Sequence, residues 1–228
     1  MRYLRNALAA VCAAAIAPAI AVAGAGATTA PRSTPAVADA TIIQGLPKTS
    51  VDVYVNGADI LQDFRFKGVV GPLPLLPGRY HLAIRLHGSK PGSKPLLSET
   101  RYLVPGENVT IVIDLTPGNV PALTNFANPD ATLAKGRGEL IVRNVAADEG
   151  LSVYAFGLRI FRHLASPSGG RIRLPAEWVR LRMTPVDSRT TVVGPVWAHV
   201  RSQAVTIVYA IGSVATDTLS SVQQTYSS

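Results

Sequence analysis

The side chains able to do chemistry are few and scattered. Nucleophilic catalysis needs a hydroxyl or thiol, an imidazole base and an orienting carboxylate brought together. Of the four histidines, His81, His87, His163 and His199, no two are three or four residues apart, and none sits in a G-x-S-x-G or H-E-x-x-H context. Surface or half-buried structural roles are expected for each. Asp52, Asp59 and Asp63 are close in sequence and are the acids a glycoside hydrolase would draw on. The turn at Asn56-Gly57 leaves their separation open, and solvated acids beside a hairpin are the expectation. No loop carries the alternating acids of a calcium cage. Gly136-Arg137-Gly138 lacks the downstream glycine and strand-to-helix context of a phosphate loop. No catalytic residue, metal ligand or cofactor is therefore assigned. Trp178, Arg180 and Arg182 stand out instead as a binding surface. They share the polar phase of one alternating stretch, where an exposed indole between guanidinium groups can stack on a sugar or pack on a partner. The competing expectation buries Trp178 under an adjacent loop or between modules.

These residues are positioned by a tandem repeat. Val53-Tyr54-Val55-Asn56-Gly57-Ala58-Asp59-Ile60 reappears as Val153-Tyr154-Ala155-Phe156-Gly157-Leu158-Arg159-Ile160, about one hundred residues later, too far apart for the layers of a solenoid. Leu76-Pro77 matches Leu174-Pro175, and Val109-Thr110-Ile111-Val112 matches Val205-Thr206-Ile207-Val208. Aligning the apolar phases of the strands that follow calls for one extra residue in the turn after Leu174-Pro175, because a one-residue slip turns a strand inside out. On this alignment Asp52 corresponds to Ser152, His81 to Arg180 and His199 to Leu103, so the reactive groups are not shared between the copies.

Alternating β-branched, aromatic and polar residues between Gly and Pro turn signals predict strands throughout, and no window shows helical spacing. In the first module the expected strands are 41–45, 51–56, 60–66, 79–87, 96–104, 109–115 and 122–126. Asn56-Gly57 marks a two-residue hairpin turn. The fold expected is all-β: two tandem immunoglobulin-like β-sandwich modules, 40–126 and 138–228, joined by a linker at 127–137.

Ahead of the modules, Arg2 and Arg5 precede an apolar run from Ala7 to Ala23 that ends in Ala21-Val22-Ala23, an A-x-A site. Residues 1–23 read as a signal peptide, and 24–39, rich in Ala, Thr, Pro and Ser, as a flexible tether. Cleavage would remove Cys12, the only cysteine, leaving no thiol, disulfide or thiolate metal ligand. The 22 basic and 14 acidic residues give +8, and loss of Arg2 and Arg5 leaves +6, spread evenly over the two modules. That excess suits an anionic envelope polymer. Export argues against nucleic acid, and no transmembrane span is expected in the mature chain.

Val51-Asp52-Val53-Tyr54-Val55-Asn56-Gly57, with Leu76-Pro77-Gly78-Arg79-Tyr80 and Pro105-Gly106 before the strand at 109–115, resembles the bacterial secreted domain-of-unknown-function family 4397. The resemblance implies export, tandem immunoglobulin-like sandwiches and no assigned activity. The expectation is a non-enzymatic envelope or extracellular protein acting in binding, adhesion or structure, partnered by an anionic polymer or another envelope protein. The alternative is a hydrolase of envelope polysaccharide using Asp52, Asp59 or Asp63.

Overall fold

The computed structural model describes residues 36–90, 92–188 and 190–227. The signal peptide and most of the expected tether lie outside them. The first half contains β1 (Ala38–Gln44), β2 (Ser50–Val55), β3 (Ala58–Arg65), β4 (Val69–Leu75), β5 (Gly78–Leu86), β6 (Leu97–Leu103), β7 (Asn108–Leu115) and β8 (Pro121–Ala127). The second contains β9 (Arg137–Asn144), β10 (Leu151–Ala155), β11 (Leu158–Leu164), β12 (Ser168–Pro175), β13 (Glu177–Pro185), β14 (Val193–Val200), β15 (Ala204–Ile211) and β16 (Ser220–Ser227). Ala38 and Asp39, expected in the tether, already belong to β1. Among the described residues no helix is long and apolar enough to cross a membrane.

The strands form four four-stranded sheets, ordered β4-β1-β7-β8 and β3-β2-β5-β6 in the first module, and β12-β9-β15-β16 and β11-β10-β13-β14 in the second. Strand for strand, the second module repeats the first. Pairing is antiparallel except at β1·β7 and β9·β15, which run parallel. Each module closes a core between its two sheets, around Val51, Val53, Ile84 and Ile113 in one and Leu140, Val153, Leu181 and Met183 in the other.

The pairing registers correct the sequence alignment at three places. Val53 and Val153 pair with Ile84 and Met183, while Ala38 and Gly138 pair with Leu75 and Leu174. Leu75, not Leu76, is thus the counterpart of Leu174, and the turn before β13 carries no insertion. The extra residue lies in the first module, where Ala40 pairs with Leu73 and Ile42 with Val70 across a bulge. The unbulged counterpart runs without a shift from Leu140·Ile172 to Val142·Gly170. Second, with Ala40 aligned on Leu140, Val109 corresponds to Thr206 rather than Val205. Third, His199 corresponds to Tyr102 rather than Leu103.

β4 was not among the expected strands because Gly71, Pro72 and Pro74 crowd its seven residues. Proline removes a ladder donor, but an edge strand needs only one side, and β4 pairs with β1 alone.

Between the modules lies a third core. Ile43 and Val112 of the first module pack with Ile141, Val205, Ile207, Tyr209 and Ile211 of the second, so β4-β1-β7-β8 and β12-β9-β15-β16 stand back to back. That explains why β7 and β15 are buried on both faces and read as continuous apolar runs rather than alternating ones. Ala131 and Leu133 of the connecting segment are buried in this layer. Arg143 lies within it, 5% exposed. Its Nη1 donates to Asn128 Oδ1 (2.7 Å) and Tyr209 Oη (2.8 Å), its Nη2 donates to the Ala127 carbonyl (3.0 Å), and its guanidinium lies 4.4 Å from the Phe126 ring centre. Gln224 Nε2 donates to Thr110 Oγ1 at 2.8 Å, bridging the modules again.

Candidate functional site

Alternation along β13 divides its side chains between two faces. Val179, Leu181 and Met183 enter the core, whereas Trp178, Arg180 and Arg182 are exposed on the outer face of the β11-β10-β13-β14 sheet. The three residues singled out from the sequence therefore share one surface. Trp178 is 58% exposed and lies away from the module interface, against the expectation that it packs there or under a loop.

Register adds neighbours that the sequence could not supply. Trp178 pairs with His199 and Arg180 with Trp197 on β14, and Arg182 pairs with Tyr154 on β10. The Trp178 and His199 rings stack nearly parallel, 9° apart with centroids at 4.4 Å. Arg201 Nε donates to His199 Nδ1 at 3.4 Å, which helps hold the imidazole against the indole. The Arg182 guanidinium lies 4.4 Å from the centre of the Tyr154 ring. Trp197 is 54% exposed. Beside this ladder a shallow depression of about 450 Å³ is lined by Tyr154, Arg180, Arg182, Thr191 and Pro195, among others.

The face thus combines planar aromatic surface with forked cations on adjacent strands. Stacking against Tyr154 reduces the rotamer freedom that Arg182 would lose on binding. Guanidinium groups bind carboxylate, sulfate or phosphate through paired N–H donors, and indoles offer a large apolar plane. One sequence signal pointed this way. All nine basic residues from 138 to 228 are arginine, whereas those from 40 to 137 are five lysines and five arginines.

The remaining candidates are tied into local structure. Asp52 is nearly buried; its Oδ1 accepts from the Asp63 amide (2.9 Å) and lies 2.8 Å from His87 Nδ1. The hydrogen bond to Asp52 raises the pKa of His87 above its ordinary value. Arg65 donates to Asp63 through Nε (2.9 Å) and lowers that carboxyl. Asp59 Oδ2 accepts from Gln62 Nε2 at 2.8 Å. Asp52 and Asp63 come together and Asp59 does not join them: it pairs with Tyr54, toward the hairpin turn. His81 Nδ1 lies 3.2 Å from Thr100 Oγ1, and His163 Nε2 lies 3.1 Å from the Glu149 carbonyl. Gly136 sits in a turn at φ 80°, its amide donating to Ser202 Oγ at 2.8 Å. Among the described residues no group of three His, Cys, Asp or Glu is placed to hold a metal.

A family model described as Domain of unknown function (DUF4397) matches residues 38–154, just over half of the chain, and the chain belongs to that family. The match starts at the first residue of β1 and runs into β10, so it spans the whole first module. The model does not detect the second copy, which the repeated strand order shows. No curated protein matches the chain. One similar solved structure is described as "Alpha-glucan recognition by family 41 carbohydrate-binding modules from streptococcal virulence factors". The identity is 14%, the match covers 80% of this chain and 95% of that one, and the TM-score is 0.25.

Proposed function

We propose that this is an exported, non-catalytic binding protein of the cell envelope or extracellular space, which recognises an anionic polysaccharide through the outer face of β13 and β14. The observation that carries this reading is Trp178. One face of its indole stacks on His199, and the residue is more than half exposed on the same strand face as Arg180 and Arg182. A sugar ring lays its C–H face on the indole while an acidic substituent pairs with a guanidinium. Export rests on the sequence of residues 1–23, and the +3 net charge of the second module favours the same class of ligand.

The test is binding of the purified chain to uronate, sulfated, phosphodiester-linked and neutral polysaccharides across a salt series. Saturable binding to an acidic polymer that persists at about 0.15 M salt, and falls at least tenfold in both Trp178→Ala and Arg180→Ala, is expected. Binding that fades completely with salt and ignores Trp178→Ala would reduce the face to nonspecific charge.

A further inference from the structure

The interiors of the two modules are filled differently. Between the sheets of the first lies an apolar cavity of about 220 Å³, lined largely by aliphatic side chains that include Leu61, Val70 and Leu73. It exceeds the ~150 Å³ void that stays dry and accepts benzene when cut into a protein core. In the second module the pairing registers place Leu140 where Ala40 stands, Phe161 where Leu61 stands and Gly170 where Val70 stands. The Phe161 ring lies so close over Gly170 that a Cβ there would sit 2.5 Å from it. An aromatic ring and a larger aliphatic side chain take up the corresponding volume.

The cavity also has a polar end. Its rim includes Val37 and Leu76, both about half exposed. The Gly106 amide donates to the Val37 carbonyl (3.1 Å) and the Asp39 amide to the Glu107 carbonyl (2.7 Å), which brings the start of β1 beside Glu107. Glu107 in turn pairs with Arg101, a lining residue. Arg101 Nε is shielded from solvent and has no hydrogen-bond partner. Glu99, also in the lining, accepts from Asn125 Nδ2 through both oxygens, at 2.8 and 2.9 Å. Two carboxylates against one guanidinium make this end net negative, so it disfavours an acidic head group. The positions of Glu99 and Arg101 hold Val196 and Ala198 in the second module. Polar groups therefore occur where the cavity occurs and are missing where it is filled.

We infer that the first module binds a single aliphatic chain carrying an uncharged hydroxyl head, with the chain in the cavity and the hydroxyl oxygen accepting from Arg101 Nε. This site is separate from the Trp178 face. The driving force is burial of methylene groups, so each added methylene tightens binding about fourfold until the cavity is full. The hydroxyl satisfies a donor that is otherwise left without a partner.

The probes are 1-alkanols from hexanol to dodecanol and the carboxylates of the same lengths, titrated into the purified chain at pH 8 by calorimetry. Affinity is expected to rise with alkanol length and then level off, with each alkanol at least tenfold tighter than its carboxylate. Ala40→Leu, and Leu61→Phe combined with Val70→Gly because the ring has no room beside a side chain there, copy the second module and should each weaken dodecanol more than tenfold in protein that still unfolds cooperatively on heating. Trp178→Ala should leave dodecanol binding unchanged. Absence of saturable alkanol binding, or undiminished binding in a folded Ala40→Leu or a folded Leu61→Phe with Val70→Gly, would overturn the site. Carboxylates as tight as alkanols would overturn the assignment of the head group. The chain-length and head-group series need only the parent protein, so they decide the matter even if a cavity variant fails to fold.

Discussion

The two modules share every strand pairing and differ in what they leave open. The first keeps a void between its sheets and an outer face carrying Arg79, His81 and Thr100, where the second has Trp178, Arg180 and Trp197. The second fills its interior with Phe161 and Leu140 and puts aromatic surface outside. Shared topology therefore conserves the packing frame, while function is placed by side-chain volume at a few positions within it.

The sharpest way to probe this comparison is the interface, where equivalent positions carry opposite chemistry. Asp114 occupies the place of Ile211, which packs in the third core. Burial pushes the Asp114 carboxyl up to about 7, against an ordinary 3.8. The folded chain then keeps a proton that the unfolded chain releases between about pH 4 and pH 7. Stability should fall as pH rises through that window, by up to about 4 kcal/mol above pH 7. Urea midpoints of the parent and Asp114→Asn should accordingly diverge as pH rises from 4 to 8, with the variant the more stable. A constant difference between them would show that Asp114 titrates normally.

Arg143 stands where the first module has Ile43. Arg143→Ala takes one donor each from Asn128 Oδ1, Tyr209 Oη and the Ala127 carbonyl and leaves a void beside the Phe126 ring, and a loss of about 3 kcal/mol is expected in chemical denaturation. A loss below about 1 kcal/mol would mean that water replaces the guanidinium. Next comes the bulge that only the first module has. Gly71 has φ 140°, and a Cβ there would sit 2.7 Å from Thr41 Cα, so Gly71→Ala should cost about 2 kcal/mol, whereas Gly170→Ala is opposed by the Phe161 ring instead. The smallest effect is at His87. Its raised pKa contributes stability below the ordinary value of 6.5, which is lost as pH rises through the folded value. Asp52→Asn should lower the His87 midpoint in an NMR titration, and an unmoved midpoint would remove Asp52 as its cause.

Much of the architecture was legible because repetition and alternation are one-dimensional signals. The exposed phase of Trp178, Arg180 and Arg182 followed from alternation alone. Trp197, His199 and Tyr154 did not, since they join that face through registers that no local pattern states. The misplaced extra residue has a similar origin: Leu-Pro occurs in both copies, but Leu75 rather than Leu76 answers Leu174 once the sheet partners are known. β4 was hidden by Gly71, Pro72 and Pro74. The back-to-back sheets did leave a trace, in the unbroken apolar runs of β7 and β15, which alternation-seeking overlooks. A void such as the one beside Leu61 leaves none, because it is a difference between volumes contributed by many distant residues.

The parallel pairing of β1 with β7 also has a mechanical meaning. Asp39 through Gln44 are in register with Asn108 through Ile113, and β4 flanks the other side of β1. Tension applied through the residues before Ala38, along the strand axis, loads these rungs together in shear instead of peeling them one at a time from an edge. The chain thus enters its fold at a strand held on both sides, so extracting β1 means breaking its rungs to β7 and β4 together.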